Sequence, residues 1–87
     1  MAAYRLVVKA SAAKELDVVE PRKLRQRLVA AIADLAENPR PAGCEKLAGA
    51  EDAYRIRQGD YRAVYTIDGR ARVVRVIKVG HRREVYR

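Results

Sequence analysis

The sequence has little cysteine and histidine, and it has no tryptophan or phenylalanine. Cys44 is its one cysteine and His81 its one histidine. A single cysteine cannot close an intramolecular disulfide, which is typical of proteins from a reducing compartment. One cysteine and one histidine are also too few ligands for a structural zinc site. The composition therefore predicts a protein without a disulfide, a metal or a cofactor.

Long apolar segments are also absent. The first residues contain no signal-peptide core, because charges occur already at Arg5 and Lys9. No apolar run approaches the roughly 18 residues that a membrane-spanning helix needs. We therefore expect a cytoplasmic protein that makes no use of a membrane.

Positive charge is abundant. The 87 residues contain 19 Lys and Arg against 11 Asp and Glu, a formal net charge of +8, and 49% of them are apolar. This length and apolar content predict a single domain over 1–87. The charge favours a polyanionic partner, which is nucleic acid, an acidic protein segment or an anionic membrane. The alternative is that the charge only keeps the domain soluble.

Hydrophobic periodicity predicts an α+β fold in the order β-α-α-β-β-β. The predicted elements are a strand over 4–9, a helix over 12–19 with Ser11 as N-cap, a helix beginning at Pro21, a loop over 39–52, and strands over 54–58, 61–67 and 71–79. The second helix has an apolar stripe of Leu24, Leu28, Ala31, Ile32 and Leu35. We expect two helices on one face of a mostly antiparallel four-stranded sheet, followed by a short C-terminal turn or helix.

The first turns of the second helix are rich in cations. They carry Arg22, Lys23, Arg25 and Arg27, although helix electrostatics favour anions at this end. Two interpretations are open. The cations form a solvated face, or they contact phosphate or an acidic partner.

Two dipeptides, Gly59-Asp60 and Asp68-Gly69, predict two-residue hairpin turns, which fix the register of the last three strands. The predicted register puts Arg57 opposite Arg62, Arg55 opposite Val64, and Arg62 also opposite Arg75. One face then carries Arg55, Arg57, Arg62 and Arg75, and the other carries Tyr54, Ile56, Ala63, Tyr65, Val74 and Val76. Like charges placed opposite each other destabilise a sheet. The arginines therefore either bind an anion or extend into water.

The last residues add polar groups close to this face. They include Lys78, His81, Arg82, Arg83 and Tyr86. An imidazole can exchange protons near neutral pH, and an aromatic ring can stack on a base.

Three segments together resemble the RelE/ParE toxin family. They are YRIRQGDYRAVY over 54–65, VGHRREVY over 79–86, and KLAG over 46–49. The resemblance covers the whole chain, including the order of its elements. It implies a bacterial or archaeal type II toxin that is neutralised by an antitoxin, and we expect the antitoxin to cover the basic surface with an acidic segment.

The counterparts of the family's basic residues and C-terminal tyrosine favour the RelE-like branch, whose members cut mRNA in the A site of the 70S ribosome without a metal. The resemblance implies that Arg62 holds the scissile phosphate, that Arg82 stabilises the leaving oxygen, and that Tyr86 stacks on or orients a nucleotide. Further RNA contacts are expected from Arg55, Arg57, Arg75, Lys46, Lys78 and Arg83.

One departure from the family concerns the proton acceptor. Arg57 stands where the family uses a lysine as the base, and an arginine stays protonated at ordinary pH. Three hypotheses follow. The protein is an mRNA endonuclease, in which His81 takes the role of the base or the reaction is slow; or it inhibits DNA gyrase as ParE-like members do; or it is a non-catalytic RNA- or ribosome-binding module.

Overall fold

Two helices pack on one face of a five-stranded sheet in the computed structural model, which describes residues 3–49 and 51–81. The elements are β1 (Arg5–Val8), α1 (Ala10–Asp17), α2 (Arg22–Asp34), β2 (Glu45–Lys46), β3 (Ala53–Gln58), β4 (Tyr61–Asp68) and β5 (Val73–His81). The predicted α+β fold is confirmed. The expected C-terminal turn or helix, with Arg82, Arg83 and Tyr86, lies outside the described residues.

The sheet has the order β1-β5-β4-β3-β2. β1 is parallel to β5, and the other neighbours are antiparallel. The fifth strand, β2, lies within the segment predicted as a loop, since two residues are too few to show any periodicity. None of the helices in residues 3–49 and 51–81 is long and apolar enough to cross a membrane.

The apolar stripe of α2 faces the sheet, as predicted. Leu28, Ile32 and Leu35 are buried, and Leu24 and Ala31 pack against them. The sheet side of this core consists of Ile56, Ala63, Tyr65, Ile67, Val74, Val76 and Val79. The helices therefore cover one face of the sheet and leave the other face for the arginines.

The helix starts differ slightly from the prediction. α1 begins at Ala10, so Ser11 lies inside the helix and the expected Ser11 cap is wrong. Lys9 is at the N-cap position and its side chain makes no capping hydrogen bond. Pro21 precedes α2 as its N-cap residue, after a cis peptide bond from Glu20.

The turn between β3 and β4 has the predicted two-residue loop. Gln58 pairs with Tyr61, and Gly59 has a φ of 58°. A side chain is strained at that φ, so glycine suits the position. Leu24 of α2 covers this turn, because a Cβ atom on Gly59 would lie 3.1 Å from Leu24 Cδ1.

The turn between β4 and β5 is longer than predicted. Asp68 pairs with Val73, so the loop is four residues long, over 69–72. The Asp68 carboxylate accepts the N–H groups of Arg70 at 3.1 Å and Ala71 at 2.9 Å, and Arg72 has a φ of 55°. The longer loop changes the register. The expected pairing of Arg62 with Arg75 is therefore wrong.

A bulge in β5 changes the register again. Tyr65 pairs with Val76, whereas Val64 pairs with Lys78, so Ile77 is an extra residue between them. Beyond the bulge, Val79 lies in the core opposite Ala63, and Gly80 is opposite Arg62.

Candidate functional site

Arg62 is the most buried charged residue of the sheet. It lies on the face away from the helices, since it alternates with the core residues Ala63 and Tyr61, and only 5% of it is exposed. Its cross-strand partner is Gly80, which has no side chain to occupy the space beside the guanidinium. Arg62 Nη1 also donates to the Tyr61 carbonyl oxygen at 3.5 Å. The fold thus places a cation in a largely desolvated position.

Two further arginines lie on the same face, on the neighbouring strand β3. Arg57 pairs with Arg62 and is exposed, and Arg55 pairs with Val64, so the predicted register of this hairpin is confirmed. Residues two apart on a strand share a face, which puts Arg55 and Arg57 side by side. These three residues, Arg55, Arg57 and Arg62, are called the arginine face below.

A carboxylate that the sequence analysis missed borders the arginine face. Glu45 of β2 pairs with Arg55, and its two oxygens accept from Arg55 Nε at 3.4 Å and Nη2 at 3.2 Å. The hydrogen bonds and charge of Arg55 lower the pKa of the Glu45 carboxyl, and the charges of Arg62 and Arg57 add to the effect. Glu45 is therefore ionised at neutral pH. A two-residue strand gave no periodic signal that could have revealed it.

Lys46 follows Glu45 on the edge strand β2. It pairs with Tyr54 and is exposed. Because side chains alternate along a strand, Lys46 lies on the helix side of the sheet and does not join the arginine face.

His81 also lies on the helix side of the sheet. It pairs with Tyr61, and the two rings meet edge to face with centroids 5.7 Å apart. With Glu15 and Val18 of α1 it lines a cavity of about 170 Å³. The sheet thus separates the imidazole from Arg62, and the structure does not bring together the two residues that the sequence analysis combined.

Lys78 contacts α1. Its Nζ atom lies 2.8 Å from Glu15 Oε2, and Glu15 Oε1 accepts the N–H of Val79 at 3.0 Å. Burial opposes the charge on Glu15, but these hydrogen bonds outweigh it and lower the pKa of its carboxyl. Lys78 therefore has an acidic partner within the fold.

Arg75 is exposed near the other end of the sheet. It pairs with Thr66 of β4 and Val7 of β1, five residues along β5 from Gly80. Among the residues that the structure describes, no group of three His, Cys, Asp or Glu side chains could hold a metal ion.

Comparison with known proteins places these features in context. Residues 6–86 match the family described as ParE toxin of the type II toxin–antitoxin system, parDE. The chain is 29% identical to toxin RelG of Mycobacterium tuberculosis over 84 residues, which are 97% of each chain. It is 35% identical to the isolated toxin RelE of E. coli, with a TM-score of 0.79 over 97% of this chain and 92% of the other. The archaeal RelE–RelB complex of Pyrococcus horikoshii OT3 matches 92% of this chain and 96% of its own, with 28% identity and a TM-score of 0.80.

Proposed function

Since the chain belongs to the RelE/ParE family of type II toxins, we propose that it is a ribosome-dependent mRNA endonuclease that inhibits translation. The observation that carries the proposal is the arginine face with Glu45 at its border. Three guanidinium groups can bind phosphate through paired N–H donors, and one carboxylate beside them can accept a proton. The similarity to solved RelE toxins supports the same reading.

In the proposed reaction the 2′-hydroxyl of a nucleotide attacks the adjacent phosphate, and the bond to the 5′-oxygen breaks. Arg62 holds the phosphate and stabilises the charge that develops on it. Its burial strengthens this interaction, because water screens a buried charge less than an exposed one. Arg57, which is exposed beside it, binds the incoming strand.

Glu45 is the proposed proton acceptor. Arginines stay protonated at ordinary pH and cannot take the 2′-hydroxyl proton. The ionised Glu45 carboxylate lies among them, whereas His81 lies on the other side of the sheet. From the family resemblance, Arg82 stabilises the leaving oxygen and Tyr86 stacks on a nucleotide.

We also propose that an antitoxin binds this toxin. The RelE toxin of P. horikoshii was solved in complex with RelB. The excess of basic residues favours an acidic antitoxin segment that covers the arginine face and so blocks RNA.

The test is primer extension on mRNA bound to purified 70S ribosomes, with Arg62→Ala as the variant and Arg70→Ala as the control. Arg70 is exposed in the loop between β4 and β5, so both variants lose one arginine. We expect cuts in the A-site codon with the wild type and with Arg70→Ala, and none with a folded Arg62→Ala. Cleavage that persists in Arg62→Ala would overturn the role of the arginine face.

Gyrase inhibition is the second candidate, and the replacement of the expected lysine base by Arg57 favours it. It predicts that the protein stops supercoiling of plasmid DNA by gyrase in vitro and leaves ribosome-bound mRNA intact. That pair of results would replace mRNA cleavage as the proposed function.

A further inference from the structure

The helix α2 packs on the face of the sheet opposite the arginine face, but it lies close to the end of β3 that carries Arg57. Leu24 of α2 covers Gly59 in the turn after β3. Further along the helix, Ala31 and Asp34 line one cavity of about 360 Å³ together with Ile56, Arg57 and Gln58 of β3. The helix α2 and the strand β3 therefore run antiparallel to each other.

Two of these cations lie on the side of α2 that borders this cavity. Lys23, Arg27, Ala31 and Asp34 are spaced by three or four residues, so they share one side of the helix. Arg27 comes between Leu24, which covers Gly59, and Ala31, which lines the cavity, so it belongs to the part of α2 that follows the end of β3. Lys23 and Arg27 are both exposed.

The part of α2 that carries Lys23 and Arg27 has no carboxylate of its own before Asp34. From Pro21 to Ala33 the sequence has no acidic residue, and Asp34 is the one carboxylate among the residues that line the cavity. Arg25 is on a different side of α2, where its Nη1 atom donates to the Val19 carbonyl oxygen at 3.2 Å.

We propose that Lys23 and Arg27 bind the phosphate backbone of RNA and extend the binding surface from Arg57 across the cavity onto α2. The inference rests on the proposed function, since the arginine face is the surface that it extends. These residues are called the α2 strip below.

The composition of the α2 strip favours RNA over an acidic protein segment. Interfaces between proteins are depleted of charge at their centres and enriched in aromatic residues, whereas interfaces with nucleic acids are polar and strongly positive. The α2 strip exposes cations, and the large apolar residue that this helix exposes, Val29, lies outside it.

The experiment compares two variants that each remove two exposed cations. Lys23→Gln/Arg27→Gln removes the α2 strip with a residue that favours helices. Arg5→Gln/Arg70→Gln is the control, because Arg5 pairs with Val73 next to the loop over 69–72, at the other end of the sheet. Binding to a fluorescein-labelled single-stranded RNA oligonucleotide is followed by anisotropy over a range of salt concentrations, and binding to empty 70S ribosomes by sedimentation.

We expect the α2 variant to bind RNA about tenfold more weakly than the control at low salt, and its plot of log K against log salt to be flatter by about 1.4, for two lost phosphate contacts. Weaker binding of the α2 variant to the oligonucleotide would indicate a contact with the mRNA strand. Weaker binding to ribosomes, with unchanged binding to the oligonucleotide, would indicate a contact with ribosomal RNA. Either result supports the inference.

Equal RNA binding by the two variants would refute the inference and leave the proposed function standing, provided that the wild type binds RNA and cuts ribosome-bound mRNA. A selective loss of binding to poly-L-glutamate, with RNA binding unchanged, would identify a protein-binding surface instead. A wild type that binds neither the oligonucleotide nor ribosomes would remove the proposed function and this inference with it.

Discussion

Glu15 of α1 and Lys78 of β5 form an ion pair of 2.8 Å at a place where the sheet ends early. β1 stops opposite Val76, so in residues 3–49 and 51–81 no strand lies on the β1 side of β5 from Ile77 onward. The Glu15 carboxylate takes that place and accepts the Val79 N–H. The Glu15 side chain thus attaches α1 to the sheet and provides an acceptor for a backbone N–H group at the edge of β5.

Glu15→Gln should lower the free energy of unfolding at pH 7 by about 1–2 kcal/mol, since hydrogen bonds to a charged group are lost. The pKa of Glu15 in the folded protein lies below its ordinary value of 4.5. Its contribution is therefore complete well above pH 4.5 and disappears as the pH falls through the lowered pKa. Urea unfolding at pH 7 and pH 3 measures this, and the two proteins should converge at the lower pH. Asp17→Asn, at an exposed carboxylate of the same helix, should change stability little at either pH.

Gly59→Ala should destabilise the protein by about 1–2 kcal/mol, because alanine is strained at a φ of 58° and its Cβ would meet Leu24. Gly69→Ala is the matched control, since a Cβ at Gly69 meets no atom within 4 Å. Urea unfolding of both variants is the measurement. Equal midpoints would contradict the role assigned to the first turn.

Tyr65→Phe should cost about 1–3 kcal/mol of stability and leave RNA binding unchanged. The Tyr65 hydroxyl is buried, which raises its pKa, and it donates to the Pro39 carbonyl oxygen at 2.7 Å. Tyr54→Phe removes a hydroxyl that accepts from Arg40 at 3.2 Å in an exposed setting, so its effect should stay within about 0.5 kcal/mol. Thermal unfolding compares the two. A larger loss in Tyr54→Phe would reverse the assignment.

Glu45→Gln should separate RNA binding from RNA cleavage. Removing an anion beside three arginines should tighten RNA binding, whereas losing the proposed proton acceptor should slow single-turnover cleavage on ribosomes at least tenfold, within the usual range for acid–base catalysis. Glu51→Gln, at an exposed carboxylate in the loop before β3, serves as the control and should cut normally.

The pH dependence of cleavage tests the same residue. Hydrogen bonds from Arg55 lower the pKa of Glu45 below 4.5, so it stays ionised from pH 8 down to pH 5. The wild-type rate on ribosomes should therefore be nearly constant over that range. A rate that falls steadily from pH 7 to pH 5 would indicate an imidazole as the proton acceptor.

The sequence predicted the part of the sheet that a short turn determines. Gly59 and Asp60 leave one choice of register, so the opposition of Arg57 and Arg62 followed from the turn alone. At the next turn the Asp68 carboxylate caps two N–H groups and Arg72 adopts a positive φ, and both features depend on side-chain geometry that dipeptide statistics do not contain.

The candidate site was predicted in part for the same reason. Arg55, Arg57 and Arg62 share a face because their strands are adjacent in the chain and joined by that turn. Glu45 reaches them from a two-residue strand, and its position depends on a tertiary contact with Arg55. The prediction placed His81 near the arginines. One reason that it lies on the helix side instead is the bulge at Ile77, which changes the face of every later residue of β5.

That bulge has a consequence for changes in chain length. Before Ile77 the even-numbered residues Val74 and Val76 face the helices, and after it the odd-numbered Val79 does. The extra residue at position 77 accounts for this change. If Ile77 instead paired with Val64 in a regular ladder, every later side chain of β5 would move to the opposite surface, so that Lys78 would replace Val79 beneath the helices and Val79, not Gly80, would face Arg62. Deletion of Ile77 should therefore be tolerated, because it removes the bulge and leaves Lys78, Val79 and Gly80 opposite Val64, Ala63 and Arg62.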